Sequence, residues 1–142
     1  RGRHNLYNHL ELMVKNAQKS VVIMTTQKGV LRKLEALGPL FEKLVKKDVK
    51  IRIAAPITKD TAPAVKEVLK HADVRHISAF DARFCIIDGK ELFFMVMDDK
   101  DVHPTYDVGV WVTTPFFAGA LENLFNIAWK DLTPAEKVLG KF

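Results

Sequence analysis

Two β-branched apolar runs, SVVIMTT at residues 20–26 and VKIRIAAP at 49–56, are separated by a long helical pattern. That alternation constrains the fold more than any other feature of the chain. A strand, a helix and a second strand in succession favour a right-handed crossover with the strands parallel. The helical stretch, LRKLEALGPLFEKLVKKD, repeats Leu31, Leu34, Leu37, Leu40, Phe41, Leu44 and Val45 at helical spacing. Gly38-Pro39 interrupts it, which predicts two short helices or one kinked helix.

The same pattern extends in both directions. NLYNHLELMVKNAQK opens the chain as an amphipathic helix, with Leu6, Leu10, Met13, Val14 and Ala17 on one face. TKDTAPAVKEVLKHA predicts a third helix, capped by Thr or Asp, with Pro63 in its first turn. DVRHISA is a short strand, and RFCIID-GK-ELFFMVM is a hairpin whose turn signal is Asp88-Gly89. DDKDVHPT reads as a solvated polar loop, YDVGVWVTT as a last strand, and PFFAGALENLFNIAWKDL as a closing helix begun by Pro115. The order α-β-α-β-α-β-β-β-β-α predicts an α/β fold. Its mixed sheet is flanked by helices on both faces, parallel early and antiparallel in the hairpin region.

The 142 residues are expected to form one domain, 1–142. A net charge of +5 is mildly basic, but the lysines are spread rather than striped, so direct nucleic-acid binding by this segment is not indicated. The densest basic cluster, Lys43, Lys46, Lys47, Lys50 and Arg52, fits the solvated end of a helix. A single cysteine excludes an internal disulfide framework and fits a reducing cytoplasm. No apolar run approaches the ~20 residues of a membrane span, and no signal peptide is visible. The chain begins RGRHNLYNHLELM, without Met and directly in a helical pattern, so it is expected to be an excised domain with an upstream part missing.

In open α/β sheets, ligands collect beyond the carboxyl ends of the parallel strands. Those ends are Thr25, Thr26 and Gln27 after the first strand and Ala54-Ala55-Pro56 after the second. The hydroxyls and amide of the first trio suit a sugar, a phosphate or another small polar ligand; they suit helix capping equally well. In SAFDARFCIIDGKELFFMV, Asp81 and Arg83 stand two apart and are expected on one strand and one face. Asp88, five beyond Arg83, falls on the opposite face unless the turn rotates it back. A buried Arg is costly alone, so Arg83 is expected to pair with Asp81, with Asp88 or with an incoming anion. Cys85 lies between apolar neighbours and reads as inert packing. The acids Asp98, Asp99 and Asp101 near His103 lack metal-loop spacing, and no metal or cofactor is expected. Trp111 and Trp129 read as core or dimer packing, with Trp111 also a candidate pocket wall.

The spacing D-A-R-x4-D at Asp81, Arg83 and Asp88 resembles the H-x-K-x4-D signature of the phospholipase D superfamily. Asp81 stands in place of the attacking His. Met95-Val96-Met97-Asp98 stands where that family has Gly-Ser-x-Asn, and does not match it. The element order resembles a single phospholipase D-like repeat over essentially the whole chain. The attack on phosphorus needs an imidazole, and none of His4, His9, His71, His76 and His103 lies in an H-x-K context. The resemblance with these departures implies a chain that is not an enzyme.

AQKSVVIMTT, VKIRIAAP, RFCIIDGKELFFMV and DVGVWVTTPFFAGALENLFNIAW together resemble the degenerate phospholipase D-like effector domain of TrmB-family archaeal transcriptional regulators. That resemblance implies a homodimeric, effector-sensing cytoplasmic domain. Its ligand, a small molecule such as a sugar or an anion, would be held by Thr25, Thr26, Gln27, Asp81, Arg83, Asp88 and Trp111. DNA would be contacted only through a separate winged helix upstream, and no membrane is implied. A phosphodiesterase with an altered nucleophile and a purely structural dimeriser are the alternatives.

Overall fold

The computed structural model describes residues 1–78 and 81–142. Helix α1 (Arg3–Lys15) leads into strand β1 (Ser20–Met24), and α2 (Gln27–Val45) crosses over to β2 (Lys50–Ala55). Helix α3 (Ala62–Val68) precedes β3 (Asp73–His76), and β4 (Phe84–Ile87) and β5 (Glu91–Met95) form the hairpin. A 3-10 turn (Pro104–Tyr106), β6 (Gly109–Thr113), α4 (Pro115–Trp129), β7 (Thr133–Pro134) and α5 (Ala135–Leu139) complete the order. The seven strands make one sheet in the order β6-β5-β4-β1-β2-β3-β7. β1, β2 and β3 are parallel. β4, β5, β6 and β7 each join antiparallel.

Burial explains this layering. β1 presents Val21 and Ile23 to one core and Val22 and Met24 to the other, as period-2 alternation requires of a strand covered on both faces. The larger core joins α1, α2 and α3 to the sheet through Leu10, Leu37, Phe41, Ile53 and Val65, with Ala135 of α5 at its margin. The other face is covered by α4, through Ala118, Phe125 and Trp129 packed on Val22, Ile86 and Leu92. Arg52 lies on that face rather than in solvent, donating to Asn126 Oδ1 at 2.7 Å. The Arg75 guanidinium lies 4.5 Å from the centre of the Trp129 ring. No helix among the described residues is long and apolar enough to cross a membrane.

Two expectations change, and a third resolves between its alternatives. α2 is one helix from Gln27 to Val45 with Pro39 inside it. Pro39 lies on the exposed side while Leu37, Phe41 and Leu44 are anchored in the core, so packing outweighs the lost helical bond. β7 and α5, which the sequence pattern did not suggest, close the far edge beside β3. Asp81 and Arg83 do not share a strand, because β4 begins at Phe84.

Candidate functional site

The β1–α2 junction builds one wall of a cleft. Thr26 caps α2, its Oγ1 accepting from Gly29 N at 3.0 Å. The same hydroxyl donates to Asp99 Oδ2 at 2.6 Å, and Arg32 Nη2 donates to that oxygen at 2.6 Å. One turn further along α2, buried Lys33 donates from Nζ to Thr25 Oγ1 at 3.1 Å. No carboxylate among the described residues lies within ion-pair reach of Lys33. Gly29 is required here: a methyl at that position would overlap Thr25 Oγ1 and approach Thr26 Oγ1 to 2.9 Å.

Arg83 forms the opposite wall. Its side chain is 2% exposed and meets Asp107, which is fully buried, in a bidentate pair with both N···O distances 3.0 Å. Nη2 also donates to Met97 O. Arg3, from the first turn of α1, donates from Nε to Asp107 Oδ2 at 2.9 Å. Burial by itself would raise the Asp107 carboxyl, but the hydrogen bonds from Arg83 and Arg3 outweigh it and hold the group below the usual carboxylate range. Asp99 behaves likewise: burial raises it, and Thr26, Arg32 and the nearby Arg83 lower it further.

The sequence candidates separate into three places. Thr26, Asp81 and Arg83 line one small cleft of about 100 Å³ with Met95, Met97 and Asp98. Asp81 there is exposed and makes no ion pair with Arg83 among the described residues. Thr25 stands behind this wall on Lys33, and Gln27 is exposed at the start of α2. Asp88 lies at the far end of β4. Its φ of 57° and the 67° of Gly89 make a left-handed turn, closed by Lys90 N donating to Ile87 O at 3.0 Å, in the three-residue loop between β4 and β5. The turn rotates its carboxylate onto the backbone N–H groups of Gln18, Lys19 and Ser20. Burial works against the Asp88 charge, but these three donors lower its pKa, so its role is to fasten the hairpin to the α1–β1 junction.

Trp111 is far from core packing; it is half exposed on the edge strand and stacks on His9 at 3.8 Å between ring centres. It lines a separate groove of about 240 Å³ with Leu12 and Glu91. Cys85 is buried, and burial pushes its thiol to about 11 against the opposite pull of Lys33. Sequence reasoning missed Asp99, placed in a solvated loop, and Asp107, read as part of a strand, as well as the cations Arg3, Arg32 and Lys33 on the helices. An isolated Asp ahead of an apolar run was the one available signal for Asp107. Nothing distinguished Asp99 from Asp98 or Asp101.

The mixed seven-stranded sheet with helices on both faces is a phospholipase D-like fold. No protein-family model matches the chain, and no curated protein matches it in sequence. Among solved structures it is similar to TrmBL2, an archaeal chromatin protein whose structure shows a novel mode of DNA binding. That match has a TM-score of 0.71 and 20% identity, covering 94% of this chain and 52% of that one, so the chain spans about half of TrmBL2. It is similar to Nuc, a phospholipase D family member from Salmonella typhimurium (TM-score 0.68, 13% identity, covering 89% of this chain and 88% of that one). NucT from Helicobacter pylori matches at TM-score 0.70 and 13% identity, over 93% and 92% of the two chains. These matches correct the expectation that the chain is not an enzyme. Its fold is shared nearly end to end with a phospholipase D family member as well as with a chromatin protein, and so assigns it to neither class.

Proposed function

We propose that residues 1–142 are the effector-sensing and dimerisation domain of a TrmB-like transcriptional regulator. DNA would be bound by a separate winged-helix module upstream, and the setting would be the cytoplasm. The ligand is small and polar or anionic, taken at the cleft of Thr26, Asp81 and Arg83. One observation carries this reading: Arg3, Arg32 and Arg83 are held by the buried carboxylates of Asp99 and Asp107, with buried Lys33 behind them on Thr25. Asp81 and Asp98 also line the cleft, so four cations meet four carboxylates; it is the guanidinium donors of Arg32 and Arg83 beside the Thr26 hydroxyl that suit an anionic or polar ligand. Such a ligand would compete with Asp99 for Thr26 and Arg32 and shift the population of loop positions. The similarity to TrmBL2 over 94% of the chain supports the regulatory class.

The test is thermal unfolding with inorganic phosphate, sulfate and a panel of sugars. A ligand at a hundred times its Kd stabilises the fold by about 2.7 kcal/mol, and Arg32→Ala is expected to abolish most of that gain. A melting temperature unmoved by every anion and sugar would sink the reading. The second reading is phosphodiester hydrolysis, favoured by the similarity to Nuc over 89% of the chain. Turnover of a generic phosphodiester that disappears in Asp81→Ala would establish it.

A further inference from the structure

Helix α4 has more apolar surface than the sheet beneath it can cover. Ala118, Phe125 and Trp129 face the core, yet Phe116 is 89% exposed, Ile127 66%, Leu124 64% and Phe117 54%. The helix holds one charged residue, Glu122. Apart from the polar side of Glu122, Asn123 and Asn126, the helix presents an apolar face that the sheet does not cover, larger than a surface helix needs. Beside it, β6 ends the sheet with Val110 and Val112 partly exposed. Val96 N donates to Val108 O at 2.9 Å, and Thr114 N to Lys90 O at 2.8 Å. The alternation of an antiparallel ladder then turns the peptide groups of Val110 and Val112 towards β5, and those of Gly109, Trp111 and Thr113 outwards.

We infer that this face is the dimer interface, with the β6 edges of two copies paired antiparallel and the two α4 helices side by side above them. The inference rests on the dimeric reading above and says which surface serves it. A second copy fits for three reasons. Residues 109–113 pair with themselves about Trp111, setting Gly109 opposite Thr113 and engaging the outward peptide groups of both copies. A two-fold axis normal to the sheet keeps both α4 helices on one face. With strands about 4.8 Å apart, helices lying over β5 come about 14 Å from each other, a gap for facing Phe and Leu side chains. The uncharged helix face also suits two copies of a chain carrying +5, which would otherwise repel.

The area is of the right order. At roughly 200 Å² per aromatic side chain, Phe116 and Phe117 leave on the order of 300 Å² in water. Leu124, Ile127 and the open strand carry the total towards the ~800 Å² that each partner gives a standard interface.

Sedimentation equilibrium of the whole chain tests the inference. The native chain is expected to dimerise, and Phe116→Glu with Leu124→Glu is expected to raise the dissociation constant at least a hundredfold with circular dichroism unchanged. Thr113→Pro removes an outward N–H and is expected to raise it about tenfold, because β5 does not use that group. Val45→Glu, on α2, should leave the dimer intact. A dimer that survives both interface variants overturns the inference and leaves the dimeric reading standing. A native chain that is monomeric throughout overturns both, and one that also floats with lipid vesicles assigns the face to a membrane.

Discussion

Asp107 is the residue on which the cleft turns. It holds two arginines far apart in the chain, Arg3 and Arg83, and is wholly buried. Removing one partner of a buried pair strands the other's charge, at a cost of about 3–5 kcal/mol. Asp107→Ala is therefore expected to lower unfolding free energy by that amount in urea titration. Asp81→Ala, an exposed side chain without an ion pair among the described residues, is expected to change it by no more than about 0.5 kcal/mol. Equal effects would contradict the pairing described. The sequence named Arg83 correctly as a residue needing a partner, because the cost of burying guanidinium is general. It offered Asp81 and Asp88, both near in sequence, whereas the partner lies 24 residues away, beyond β4, β5 and the 3-10 turn. Local spacing cannot report a pairing that the sheet brings about.

At the scale of elements, the β1–α2 junction is the most exacting part of the fold. Thr26 must cap the helix and reach Asp99 with the same hydroxyl, and Gly29 must leave room for it. Gly29→Ala relieves the entropy cost of a glycine within the first turn of α2 but drives a methyl into two hydroxyls. The expected outcome is a loss of about 1–3 kcal/mol from overpacking, seen as a lower melting temperature together with weakened anion binding. A more stable variant would show that the two hydroxyls can move aside. The six longer strands and four longer helices were legible from periodicity, since each buries a regular face. β7, two residues with a proline, and the five-residue α5 carry too few positions for a period to show. They exist because β3 and the lower core hold them.

For the whole molecule, three carboxylates set the response to acid. Asp88, Asp99 and Asp107 are all held below the ordinary carboxylate value; burial opposes this in each, and hydrogen bonds from backbone amides, Thr26 or arginines prevail. A carboxyl whose folded pKa is depressed stabilises the fold in full above its unfolded value of about 3.9. That stabilisation is lost as pH falls through the folded pKa, where the unfolded chain has bound protons first. Urea midpoints are thus expected to hold between pH 7 and 5 and to fall steeply towards pH 3, less steeply in Asp99→Asn. A flat profile to pH 3 would refute the assignment. The shared carboxylate has a mechanical consequence as well. Arg3 in the first turn of α1 and Arg83 beside the cleft share Oδ2 of the same carboxylate, and Gly2 N holds the Asp107 carbonyl at 2.9 Å. Neither can be displaced without straining the other, so a tug on the start of the chain and a guest at the cleft pull on one knot.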